Sequence, residues 1–148
     1  MIEEYQGKPI SKTKLLYNYN HLNSVNIHKY IDGKEHLLCV IKTANAIVAA
    51  YYPGALRRDA VMNEGGLLIS VTNNESYHLL KRTNKYEKIY QGMIYDPFFL
   101  VFGNFDIRIR NGSQTVSSRF GTNSSFFDSK GRRVNDLLSE GESSEVVF

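Results

Sequence analysis

A chain of 148 residues suits a single domain that buries roughly 70% of its unfolded surface without help from disulfides. The apolar share of 42% excludes intrinsic disorder, and no apolar run approaches the roughly 20 residues that cross a bilayer as a helix. A net charge of +3 permits a basic patch but falls short of the concentrated charge of nucleic-acid binders, which places nucleic acid last among the expected partners.

Residues 1–13 read as a loose polar N-terminal arm, and residues 14–148 as one domain. The opening Met1-Ile2-Glu3-Glu4-Tyr5 carries acid where a signal peptide carries base, so an intracellular, cytoplasmic protein is expected. Leu15-Leu16-Tyr17 is the first apolar anchor. Ser24 is placed to cap a short helix over residues 24–30, and Asp32-Gly33 marks its end. Residues 37–42 and 46–52 are two strand-like runs joined by a hairpin-length gap at Thr43-Ala44-Asn45, with Pro53-Gly54 closing the second. Residues 55–64 read as irregular. A third strand spans residues 67–72 up to Asn73-Asn74, and residues 77–81 and 86–90 suggest a further short pair. Residues 98–102 form the most apolar stretch and read as a central strand. In residues 105–110, Phe105, Ile107 and Ile109 alternate with Asp106, Arg108 and Arg110, the period of a strand with one face on a core. Asn111-Gly112 turns the chain toward a returning strand at 114–119. A polar loop follows at 120–125, a short turn or helix at 134–138, and a last strand beginning near Glu145. The pattern predicts a mainly β (α+β) domain, a two-layer antiparallel β-sandwich with a few short flanking helices.

Chemistry-bearing motifs are scarce. Gly65-Gly66 lacks the spacing of a phosphate loop, and His21, His28, His36 and His78 form no ligand pair of zinc-site spacing with the single Cys39. No catalytic residue, metal or cofactor is therefore assigned. Cys39 sits within an apolar run, and a small buried hydrophobe is the expected role over a reactive thiol. The sequons at Asn74, Asn111 and Asn123 read as turn chemistry. For partner binding the candidates are Arg57 and Arg58 in the irregular stretch, with Arg108 and Arg110 presented in one direction by a strand.

The order of motifs resembles the TLDc domain family. Lys14-Leu15-Leu16-Tyr17 is similar to its L-L-Y opening. Residues 37–42 and 46–52 resemble its L-x-L-I-K hairpin and I-F-G-G-Y return, and residues 67–73 its F-L-F-S-L-T-N strand. Residues 102–109 are similar to F-G-G-G-x-D-L-x-I, residues 117–126 to a later S-x-x-x-G-x-x-Y pattern, and residues 141–148 to a closing strand cut short at Phe148. Ala49-Ala50 replace the family's paired glycines, Gly103-Asn104 its glycine triplet, and Gly65-Gly66 stand where it has an acidic residue. For that reason no charged functional residue is carried over.

The resemblance implies a β-sandwich without agreed catalytic activity, tied to oxidative-stress protection and to binding the vacuolar-type proton-pumping ATPase. The leading expectation is a non-catalytic protein-interaction module that docks into a larger assembly. V-ATPase subunits on endolysosomal membranes are the partner the resemblance names. A structural component of a cytoskeletal or ciliary lattice is the alternative, and a redox enzyme using Cys39 ranks behind both.

Overall fold

The run Leu37-Leu38-Cys39-Val40-Ile41 and its partner Ile47-Val48-Ala49-Ala50-Tyr51-Tyr52 are rich in residues that favour a pleated, buried backbone. In the computed structural model they form strands β2 (Leu37–Thr43) and β3 (Ile47–Tyr52), paired antiparallel from Leu37 opposite Tyr52 to Lys42 opposite Ile47. Thr43 closes the hairpin. Its N–H donates to the Ala46 carbonyl at 2.9 Å, and its hydroxyl accepts from the Ala46 N–H at 3.1 Å.

The structure describes residues 1–16, 18–19, 28–43, 45–55, 61–62, 65–79, 90–91, 99–102, 107–110, 115–118, 126–130 and 141–147. Ahead of the hairpin lie α1 (Ile2–Gln6), β1 (Asn18–Tyr19) and α2 (His28–Ile31). After it come β4 (Val61–Met62), β5 (Leu67–Ser70), β6 (Glu75–Leu79), β7 (Tyr90–Gln91), β8 (Phe99–Phe102) and β9 (Ile107–Arg110). The remaining described strands are β10 (Thr115–Ser118), β11 (Phe126–Phe127) and β12 (Gly141–Val147). The sheet runs β11-β6-β5-β3-β2-β12-β10-β9-β8, with β1 also on β12 and β4 paired separately with β7. Strand β8, expected to be central for its apolar run, thus ends the order among the described residues. Each described pairing is antiparallel. The architecture is thus mainly β and antiparallel with short helices, as the strand-rich pattern predicts.

Register assigns the two faces of the central strands. Cys39, Ile41, Val48, Ala50 and Leu68 share one face, and each is almost wholly buried. Leu38, Val40, Ala49, Tyr51, Leu67 and Ile69 share the other. Burying a residue such as Leu68 or Ile41 contributes roughly 1.5–3 kcal/mol, so this doubly covered sheet is where the described core concentrates. Ser70 is the buried polar exception, and its hydroxyl accepts the Asn73 N–H at 3.2 Å.

Two local expectations meet a different outcome. Residues 1–13 read as loose, yet α1 forms and packs on the sheet. The strand near Tyr77 pairs with β5 across a turn at residues 71–74, where Asn74 takes a left-handed φ of 54°. That conformation fits the turn role read for Asn74; Asn111 and Asn123 lie outside the described residues. The expected pairing partner at 86–90 is described only at Tyr90, which pairs with Met62. The capping position at Ser24, the loop at 120–125 and the turn at 134–138 also lie outside the described residues.

Candidate functional site

The most developed site is where the N-terminal arm meets the second face of the sheet. Glu3 and Glu4 in the first turn of α1 suit the positive end of a helix dipole. Gly7 ends the helix in the left-handed region at φ 68°, directing its own N–H to the Glu4 carbonyl and the Lys8 N–H to the Glu3 carbonyl. The Glu3 carboxylate then accepts the Ile10 N–H at 2.8 Å, which holds the arm in its turn. Ile2 and Tyr5, three apart and so on one side of the helix, pack on Ala49, Tyr51, Leu67 and Ile69. Small Ala49 lets the helix approach the sheet.

Tyr5 is the anchor. Its ring stands edge-on to Tyr51 at 6.1 Å and lies 5.5 Å from the His78 ring. Its hydroxyl reaches the Gly65-Gly66 backbone: Gly66 hydrogen-bonds it, and a Cβ on Gly65 would collide with it. Gly65 also has φ 95°, a conformation L side chains rarely adopt. Gly65 and Gly66 therefore seat the arm. Burial raises the Tyr5 hydroxyl above its ordinary pKa, against a smaller lowering by the Gly66 hydrogen bond. Burial also raises Tyr51, with the neighbouring Tyr5 adding to it. Both phenols thus stay protonated at neutral pH. The Tyr51 hydroxyl lies 2.7 Å from His36 Nδ1, and the two rings stack at 6.4 Å. His36 holds a left-handed φ of 54° while its N–H donates to the Pro53 carbonyl at 3.2 Å.

Beside this cluster α1 leaves part of the sheet face uncovered. A groove of about 630 Å³ opens there. Leu38 and Val40 of β2 form its floor, the start of β2 at Leu37 borders it, and Ile2 and Gln6 also line it. Residues 8–16 make one wall, and Lys34, Glu35, His36 and Tyr51 make the other. Lys8, Lys12, Lys14 and Lys34 are exposed. The sequence reading missed this groove, although alternating Lys8, Ile10, Lys12 and Lys14 was a signal that could have raised it.

Of the arginines expected to bind a partner, Arg57 and Arg58 lie outside the described residues. Arg108 and Arg110 fall two apart in β9, as the alternation implies. Arg108 stands opposite Ser117 and Val101, and Arg110 opposite Phe99. None of the four is among the described residues that line the groove. Cys39 is a free, buried thiol, and burial pushes its pKa well above the ordinary value. This is the setting of a packing residue and opposes thiolate chemistry. Among the described residues no cluster of His, Cys, Asp and Glu could hold a metal ion, and no helix is long and apolar enough to cross a membrane.

Comparison with family models, curated proteins and solved structures finds no match to this chain.

Proposed function

We propose that the chain is a non-catalytic protein-interaction module that docks into a larger assembly. The observation that carries this reading is the contrast between a buried thiol and an open groove with an apolar floor and a basic rim. Chemistry at Cys39 would need an accessible thiolate, whereas binding needs apolar area and oriented charge beside it.

The TLDc-like motif order supports naming the module a TLDc-like sandwich, with V-ATPase subunits as its partner and oxidative-stress protection as its setting. Strand β12 supports the two-layer arrangement. Its first residues pair with β10 and its later ones with β2, with a register shift between Ser143 and Glu145. Such an irregularity is where a strand passes from one sheet to another.

Affinity purification of the tagged chain from native extract under gentle conditions tests the reading. Stoichiometric recovery with V-ATPase subunits is the expected result, and recovery of free monomer alone overturns it. Recovery with filament or ciliary proteins would instead favour the structural-component alternative.

A further inference from the structure

We propose that the groove between residues 8–16 and β2 binds an acidic segment of a partner protein in extended form, alongside the arm. The inference rests on the interaction reading and names the face and the partner chemistry for it.

Three observations converge. The arm after α1 has no regular structure, and no hydrogen bond is formed by residues 11–16 among the described residues. Backbone N–H and C=O groups that have no partner among the described residues can take up an added strand. The floor beneath it is apolar and only half covered, since Leu38 and Val40 are half-buried. Leu15 stays 63% exposed at its side. Apolar side chains at alternate positions of a bound strand would find their contacts there.

Charge selects the partner. Four exposed lysines, Lys8, Lys12, Lys14 and Lys34, surround the groove against one lining carboxylate, Glu35. No ion pair engages these lysines among the described residues. A rim of this sign steers acidic segments in and rejects basic ones. Nucleic acid fits less well, because single-stranded binders need free aromatic platforms for the bases. Among the described residues the one tyrosine lining this groove, Tyr51, is already engaged by His36 and Tyr5, and His36 in turn by Tyr51.

The test is fluorescence anisotropy with a labelled peptide of alternating Glu and Leu, beside Gln/Leu and Lys/Leu counterparts. The wild-type chain should prefer the Glu/Leu peptide. The K12E/K14E variant should lose roughly tenfold or more in affinity for it and gain affinity for the Lys/Leu peptide. Both lysines are exposed, so the variant should keep the wild-type urea midpoint. Leu15→Asp, which alters the wall, should weaken binding of the Glu/Leu peptide as well. Equal binding of the three peptides, or unchanged affinity in K12E/K14E, overturns the proposal. So does lysine-dependent binding of phosphatidylserine vesicles without peptide binding, or a dimer in sedimentation that K12E/K14E dissolves. Recovery of one native partner equally by wild-type and K12E/K14E protein would overturn the groove while leaving the interaction reading standing.

Discussion

The two faces of the central sheet, built from the same four strands β2, β3, β5 and β6, are closed in different ways. One carries Cys39, Ile41, Val48, Ala50 and Leu68, whose side chains are sealed from water. The other carries Ala49, Tyr51, Leu67 and Ile69, covered by a five-residue helix at the N-terminus, while Leu38 and Val40 beside them stay half-buried. The first face is core in the ordinary sense. The second is closed by a short strap that depends on the sheet for its own structure, because a helix of one turn does not stand alone in water. Stability should therefore reside on the sealed face and binding on the strapped one.

Removing atoms from each face gives the largest expected difference. Leu68→Ala leaves a cavity on the sealed face and should cost about 2–5 kcal/mol, read as a lower urea midpoint. Ile2→Ala on the strap should cost only about 1 kcal/mol, because Ile2 is half-buried to begin with. Equal losses would erase the distinction between the faces. A smaller effect is expected where the strap is seated. Gly65→Ala adds a methyl at φ 95° and against the Tyr5 hydroxyl, for a cost of about 1–2 kcal/mol with faster amide exchange in residues 2–10. In a Tyr5→Phe background the same change should cost less, since the collision is with that hydroxyl.

The gentlest probe is alkaline pH. Burial raises the Cys39 pKa, so the folded chain favours the thiol while the unfolded chain releases its proton from the ordinary value of 9.0. This contribution is intact below that value and is lost as pH rises from it toward the folded pKa. Cys39→Ala should remove that part of the slope in stability against pH. A further loss should remain above 10.0, where Tyr5 and Tyr51 begin to titrate in the unfolded chain.

Much of the sealed face was legible in the sequence, and little of the strapped one. Residues 37–42 and 46–52 announce a hairpin because unbroken apolar runs end at residues that turn the chain. The burial of Cys39 follows from its place in the first run. Pairing choice is not local information, so the strand near Tyr77 was assigned a later partner when Asn73-Asn74 had already turned it back onto β5. Helix α1 gave no usable signal, for Ile2 and Tyr5 make one apolar side only once the sheet is beneath them. Gly65-Gly66 read as a missing acidic residue until Tyr5 explained them. The groove arises from the approach of the arm to β2, a tertiary event that no window of residues contains. The arginine expectations instead followed residue type, which placed Arg108 and Arg110 correctly on a strand but could not indicate which surface binds.

Amide hydrogen exchange of the whole chain, with and without the Glu/Leu peptide, tests the separation of the two faces most directly. The account predicts added protection in residues 8–16 and at Leu38–Val40, with the sealed residues around Leu68 slow in both states. Protection confined to β9, where Arg108 and Arg110 lie, or an arm whose exchange the peptide leaves unchanged, would contradict it.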